Sequence, residues 1–444
     1  MSAIPTENKF DSLVVEAVAH HEAGRLQQAE AAYRAALVLS PGHVIATHNL
    51  GVIAATQGQH DTAISCFDKV IACEPDYVSA HYNRAAALQA LGRNRDAIKG
   101  FSRACTLDPG HYDAHRALGF LWLSEDNRER SLDHFARTYE LRRGEERLDE
   151  SQSLTYATHD KLRHDAEQFR YLAEHRRNRS QFDALGRAYE AVAKDIPEQL
   201  TKLSGRQLTI LGDDYNTAIS IRDAPELADG AVSERTDIAA LTQSFGEGAM
   251  GAVYFDDLLT PAALLELRRY LLESTIWHDC SHIGGFIASY LEDGLACPLI
   301  LQIADELRRT FPDLLAKHPL SQAWAFKGLR ADSAVDVHAD DAAISVNFWV
   351  TPTSANLNPH HGGLAVCRVP PPRDWVLRGY EADKERTVAF LEQNAVNTLI
   401  VPYRENRAVL FESRLFHQSD RPKFASNYQN YRINLTFLFG RHAR

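Results

Sequence analysis

Three prolines, Pro41, Pro75 and Pro109, stand 34 residues apart, and the glycines Gly24, Gly58 and Gly92 keep the same step. A fixed period of this length constrains the fold more than composition does. Each copy must be one supersecondary unit that buries its apolar face only against the next copy. In the same register recur Ala29, Ala63 and Ala97, the rings Tyr33, Phe67, Phe101 and Phe135, and the small residues Ala17, Gly51, Ala85 and Gly119. Each series has a mechanical role in a helix-turn-helix unit. The glycine falls in the turn, the small residue lets two helices approach, the ring fills the groove between them, and the proline opens the next unit.

This 34-residue period, with these residue types in one register, resembles tetratricopeptide repeats over about residues 8–145. The resemblance implies an α-helical solenoid whose concave groove holds a peptide or another protein. The fourth unit departs from the pattern, with Asp126 and Ser131 where glycine and alanine would stand and no proline at the next step. It is expected to be a degenerate terminal repeat that ends the stack.

Residues 146–200 continue as charged helices, with Leu162, Phe169, Leu172, Leu185, Tyr189 and Val192 at helical spacings, and are expected to cap or connect. From about 201 the texture changes, and residues 201–444 are expected to form a separate domain. Within it, Ala252–Phe255 predicts a strand, Asp257–Ser274 a helix opened by Thr260-Pro261, and Pro298–Thr310 another helix. Further short strands are predicted at 343–350, 363–369, 407–411 and 431–439. The fold class is therefore multidomain α + β, a helical solenoid followed by a closed or sandwiched β core with supporting helices.

Composition excludes several classes of function. A net charge of −11 without a long basic stretch argues against a nucleic-acid surface. The basic runs Arg142-Arg143 and His175–Arg179 have acids close by and are expected to form solvated helix faces. No apolar run approaches the roughly 20 residues of a membrane span, and the amino terminus does not read as a secretory signal, so a cytoplasmic location is expected. Six cysteines without a CxxC pair point to reduced, structural thiols.

The chemistry lies near the carboxyl end. His338-Ala-Asp340 sits at the end of one predicted strand, and His417 follows another. Two imidazoles and one carboxylate form a facial triad that leaves metal positions open for other ligands. Arg432 lies within the strand 431–439, whose alternation puts Tyr431, Ile433, Leu435, Phe437 and Phe439 on one face and Arg432, Asn434 and Thr436 on the other. An arginine fork leading a polar strand face suits a carboxylate.

HxD, a distal histidine and Arg-x-Asn in this order resemble the 2-oxoglutarate- and Fe(II)-dependent oxygenases, nearest to the prolyl-hydroxylase-like branch, over about residues 250–440. The resemblance implies a double-stranded β-helix or jelly roll, with Fe(II) held by His338, Asp340 and His417. It further implies 2-oxoglutarate chelating that iron with Arg432 on its far carboxylate, O2 as oxidant and ascorbate as an in vitro supplement. Asn434, a candidate for a further hydrogen bond to that carboxylate, stands where serine or threonine is more usual.

Asn347 is a candidate co-substrate contact, since a buried amide needs partners. Trp349, Tyr290 and the mouth-loop histidines His360 and His361 are candidate substrate contacts. His360 and His361 follow the HxD too closely to displace His417 as a ligand, and Asp336 and Asp341 flank the motif out of register. The expected reaction is hydroxylation of a protein or peptide side chain brought by the repeat groove. The alternatives are a small-molecule oxygenase whose repeats dimerise it or dock it to a partner, and a non-catalytic repeat adaptor or sensor.

Overall fold

A computed structural model describes residues 6–144, 154–234, 237–247, 251–282, 284–372, 375 and 384–441. The chain divides into two compact units, Met1–Leu121 and Trp122–Arg444. The sequence places the boundaries near 145 and 200 instead.

The first unit is a series of antiparallel helix pairs: α1 (Thr6–Glu22) with α2 (Leu26–Leu39), α3 (Val44–Thr56) with α4 (His60–Cys73), and α5 (Val78–Ala90) with α6 (Asn94–Leu107). Helix α7 (Tyr112–Ser124) begins the next pair. The three periodic glycines take the left-handed turn, at φ 71° for Gly24, 77° for Gly58 and 73° for Gly92. Close helix contact explains the small-residue series, because a Cβ on Gly51 would lie 2.7 Å from the Phe67 ring. Ala17, Ala29, Tyr33, Ala46 and Ile53 form part of the core that these contacts close.

The second unit begins in the last turn of α7 and continues into α8 (Arg128–Arg143). Asp126 takes the left-handed position between them, at φ 54°, where earlier repeats use glycine. Aspartate tolerates that conformation better than most residues, so the turn survives the substitution. Strand β1 (Tyr156–Ala157) pairs with β2 (Thr201–Lys202) around α9 (His159–His175) and α10 (Arg179–Ala193), which share a core of Leu162, Phe169, Leu172, Phe182, Tyr189 and Val192. The helices α11 (Gly205–Leu211) and α12 (Ile238–Glu247) follow.

The remaining elements, in chain order, are β3 (Ala252–Phe255), α13 (Pro261–Glu273), β4 (Phe286–Tyr290), α14 (Pro298–Thr310), α15 (Pro312–Leu315), β5 (Leu320–Gly328), β6 (Ile344–Trp349), β7 (Leu364–Cys367), α16 (Lys384–Gln393), β8 (Thr398–Val401), β9 (Ala408–Glu412), β10 (His417–Ser419) and β11 (Arg432–Phe439). They build a six-stranded antiparallel sheet in the order β3-β9-β6-β11-β5-β4 and a three-stranded one in the order β10-β7-β8. The β region is thus two separate sheets and is not closed. Strands β1, β2, β4, β5, β8 and β10 are not anticipated from sequence.

Helix α9 is more than a connector. Its buried Lys161, His164, Asp165 and Gln168 face the β region, where Lys327 of β5 is also fully buried. The Lys327 amine, which burial holds well below the ordinary lysine range, donates to His164 Nε2 at 3.1 Å and lies over the rings of Trp277 and Tyr428, at 4.3 and 4.6 Å from their centroids. On its other side the imidazole pairs with Asp165 at 2.9 Å, and Asp165 also takes Lys161. Farther along, Arg163 donates to the Leu329 carbonyl and Arg330 to Asp160, both at 2.6 Å. Helix α9 therefore grips the end of β5 and the start of the loop leading to His338.

Burial, reinforced by the Lys327 charge, pushes His164 down to about 3. As pH falls through the ordinary histidine range near 6.5, the unfolded chain takes up a proton that the folded chain refuses. His164 thus contributes stability above that range, and the contribution is lost as pH falls toward 3. The urea midpoint is expected to drop from pH 7.5 to pH 5 by a larger amount in the wild-type chain than in His164→Gln. Equal drops would show that His164 is not titrating across folding.

Candidate metal centre

The triad is assembled by backbone pairing at one end of the two sheets. His338 lies in the loop before β6 rather than in a strand, but its amide donates to the His417 carbonyl at 3.0 Å and its carbonyl receives the reciprocal bond at 2.9 Å. Two residues on, the Asp340 amide donates to the Ser413 carbonyl at 2.8 Å. These bonds fasten the HxD loop to the segment joining β9 and β10.

The three side chains converge, with ligand atoms all within 4.8 Å of one another. His338 Nδ1–H donates to the Asp336 carbonyl at 2.8 Å, and His417 Nδ1–H to the Leu415 carbonyl at 2.9 Å. Both rings thereby turn Nε2 inward, 3.8 and 3.6 Å from the Asp340 oxygens. Such outer hydrogen bonds fix the tautomer and aim of a metal-ligating imidazole. Ser345 Oγ donates to Asp340 Oδ2 at 2.6 Å and lies 2.8 Å from Ser413 Oγ. Burial, with His338 adding to it, holds His417 down to about 4, so its ring is neutral and able to ligate at neutral pH.

A cavity leads inward from the triad between the sheets. Its wall carries Asn347 of β6 and Arg432, Asn434 and Thr436 of β11, as the alternation predicts, and Leu364 and Ser419 face them from the smaller sheet. Trp324 and Phe326 of β5 complete it, and sequence reasoning misses them because it misses their strand. A larger cleft near α13 and α14, lined by Asp257 and Glu306, holds none of the predicted site residues.

Arg432 is 4% exposed, and burial lowers it to about 10, still cationic at neutral pH. Among the described residues no carboxylate forms an ion pair with it. Its Nε and Nη2 donate to the carbonyls of Gly362 and Gly363, at 3.0 and 3.2 Å. The Pro-His-His-Gly-Gly turn is thus the brace of Arg432. His361 supports this turn through Asp420 at 2.8 Å, while His360 is exposed, and neither lines the cavity. Gly363 admits no side chain, since a Cβ would lie 2.0 Å from the Val401 carbonyl oxygen. Gly363→Ala is expected to destabilise the chain by about 1–3 kcal/mol through overpacking, read as a lower denaturant midpoint. An unchanged midpoint would contradict this packing.

Two further candidates are placed differently from their predicted roles. Tyr290 is on β4 outside the cavity lining, its hydroxyl 2.9 Å from His282 Nε2 and donating to Asp279 at 3.2 Å. Trp349 is fully buried, packed with Tyr403 and Phe424 in the core between the sheets, and is likewise outside the cavity lining. All six cysteines are free thiols. No helix among the described residues is long and apolar enough to cross a membrane.

Comparison with known proteins bears on the amino-terminal part. Tetratricopeptide-repeat family models match residues 14–78 and 66–99. Similar solved structures include a MamA fragment from Desulfovibrio magneticus RS-1, at 25% identity over 31% of this chain and 78% of that one, with a TM-score of 0.30. Another is an O-GlcNAc transferase of Thermobaculum terrenum, at 24% identity over 31% of this chain and 28% of that one, with a TM-score of 0.28. No curated protein sequence matches the chain. The amino-terminal region of about a hundred residues consists of tetratricopeptide repeats.

Proposed function

We propose that the chain is a 2-oxoglutarate- and O2-dependent Fe(II) oxygenase that hydroxylates a protein or peptide side chain recruited by its repeats. The two-sheet region would be its double-stranded β-helix. One observation carries the reading: a histidine-carboxylate-histidine face and a buried guanidinium without a carboxylate partner share one narrow cavity.

The residues present suit both groups. Two neutral imidazoles and a carboxylate are a donor set for Fe(II) that leaves positions open. Between them and Arg432 lie the buried amide oxygens Asn347 Oδ1 and Asn434 Oδ1, neither with a partner. A buried polar atom left unpaired costs about 1–3 kcal/mol, so these positions favour a polar occupant. His338, Asp340 and His417 would hold the iron, and Arg432 would neutralise the far carboxylate of 2-oxoglutarate. Bound together with O2, these groups would supply C–H hydroxylation coupled to conversion of 2-oxoglutarate to succinate and CO2.

The chain's own residues would orient and shield. Ser345 fixes the Asp340 carboxylate, the glycine turn fixes Arg432, and Leu364 and Phe326 reduce the water around the reactants. Tetratricopeptide repeats generally mediate protein-protein contact, which favours a macromolecular substrate.

The test is succinate formation by the purified full-length chain with Fe(II), 2-oxoglutarate and ascorbate. Succinate is expected from the wild type, and its undiminished formation in His338→Ala or His417→Ala would overturn the assignment. Partners trapped by His338→Ala should gain the mass of one oxygen when the active protein is added.

A further inference from the structure

Trp349 carries a buried indole Nε1–H with no hydrogen-bond partner. Its position makes this more than a packing defect. Along β6, Ser345, Asn347 and Trp349 alternate onto one face, with Ser345 on the Asp340 carboxylate and Asn347 lining the cavity. Trp349 is the next residue on that face, beside the cavity lining. Across the sheet it stands directly opposite Asn434, another cavity residue, and the Arg432 guanidinium carbon lies 5.9 Å from the centroid of its ring.

A guanidinium that lines the cavity and an indole beside that lining thus lie close together. Arg432 spends Nε and Nη2 on the Gly362 and Gly363 carbonyls, and Trp349 Nε1 has no acceptor at all. Asn434, whose amide oxygen is also unpartnered, turns about its last torsion to present either oxygen or nitrogen to the same space. An anion held by Arg432 would offer the Trp349 N–H the acceptor that it lacks.

We infer that Trp349 is a second anion-binding residue, its indole N–H donating alongside Arg432 to the far carboxylate of a dicarboxylic 2-oxo acid. The inference rests on the oxygenase reading and deepens it. It replaces the substrate contact expected of Trp349 with a co-substrate contact. It also gives a physical role to the unusual Asn434, because indole and amide together supply the polar contact that a hydroxyl side chain gives elsewhere. The cavity would accordingly select oxo acids with a second carboxylate over those without one.

The test uses full-length protein loaded with Mn(II), so that binding is read without turnover. Calorimetric titration with 2-oxoglutarate is expected to give about tenfold weaker binding for Trp349→Phe, the loss of one charge-assisted hydrogen bond. Pyruvate, which lacks the far carboxylate, should bind both proteins alike. In protein carrying 15N-labelled tryptophan, one indole N–H signal should move downfield when 2-oxoglutarate is added and should be missing from Trp349→Phe. Should Trp349→Phe fail to fold, the shifted signal still decides: it must persist in Trp324→Phe and stop responding in Arg432→Met. If 2-oxoglutarate binds with equal affinity to wild type and Trp349→Phe, or moves no indole signal, the inference is overturned and the oxygenase reading stands. If 2-oxoglutarate does not bind the Mn(II)-loaded wild type, both are overturned.

Discussion

Arg143→Ala is expected to destabilise the sheet-bearing unit by about 3–5 kcal/mol, the cost of stripping one partner from a buried ion pair. Arg143 is 1% exposed at the end of α8, and its Nε and Nη2 each donate to an Asp293 carboxylate oxygen at 2.8 Å. Burial alone would raise Asp293, but the Arg143 guanidinium more than reverses it and holds the carboxyl well below the ordinary range. Without the arginine, Asp293 must rely on the longer Arg142 contact at 3.7 Å or take up a proton in the interior. A urea titration would show the loss, and Arg143→Met with Asp293→Leu should recover most of it, because the cost lies in the orphaned charge.

The same pair decides where the unit can be cut. A chain starting at residue 200 lacks both Arg143 and α9, leaving Asp293 and Lys327 without the partners that make their burial tolerable. That chain is expected to be unfolded, whereas one starting at Trp122 should unfold in a single transition. A 200–444 fragment that unfolds cooperatively would show that α8 and α9 are dispensable for the sheets.

The second large effect is on chemistry. Asp340→Ala removes the carboxylate that both imidazoles face and leaves the Ser345 hydroxyl with Ser413 alone of its two side-chain partners. Iron-dependent succinate formation is expected to fall to background. Ser345→Ala, which keeps all three ligands, should cost about 10–100-fold in metal affinity, the usual effect of losing an outer hydrogen bond to a ligand. Equal activity of Asp340→Ala and wild type would place the chemistry elsewhere.

How far the molecule is legible from its sequence follows from the range of each interaction. The repeats are legible because their rule is local: glycine in the turn, a ring opposite a small residue. Even the irregular Asp126 turn keeps the geometry of the three glycines. The polar face of β11 is legible because strict alternation shows which residues share a side. Strand β5 is not, because Lys327 falls on the buried face that Ala323 and Ala325 share, where alternation demands an apolar residue.

The buried charges escape for a related reason. Arg143 reads as part of a solvated basic run and Lys161 as part of a charged helix, but the environment of each is set by residues distant in sequence. Asp293 lies 150 positions after Arg143. Lys327 lies 163 positions after His164 in the network that holds Lys161. In the site, residue types and order are enough to name the three residues that converge and the arginine that shares their cavity. Their supports are hidden, since nothing local ties the Gly362 and Gly363 carbonyls to an arginine 70 and 69 residues away.

The most direct test of the proposed iron centre is anaerobic equilibrium binding of Fe(II) to the whole chain, compared with Asp340→Ala and His417→Ala. One iron per chain is expected in the wild type, with tighter binding when 2-oxoglutarate is present, and a large loss of affinity in both variants. Iron binding that is absent from the wild type, or that survives unchanged in the two variants, would contradict it.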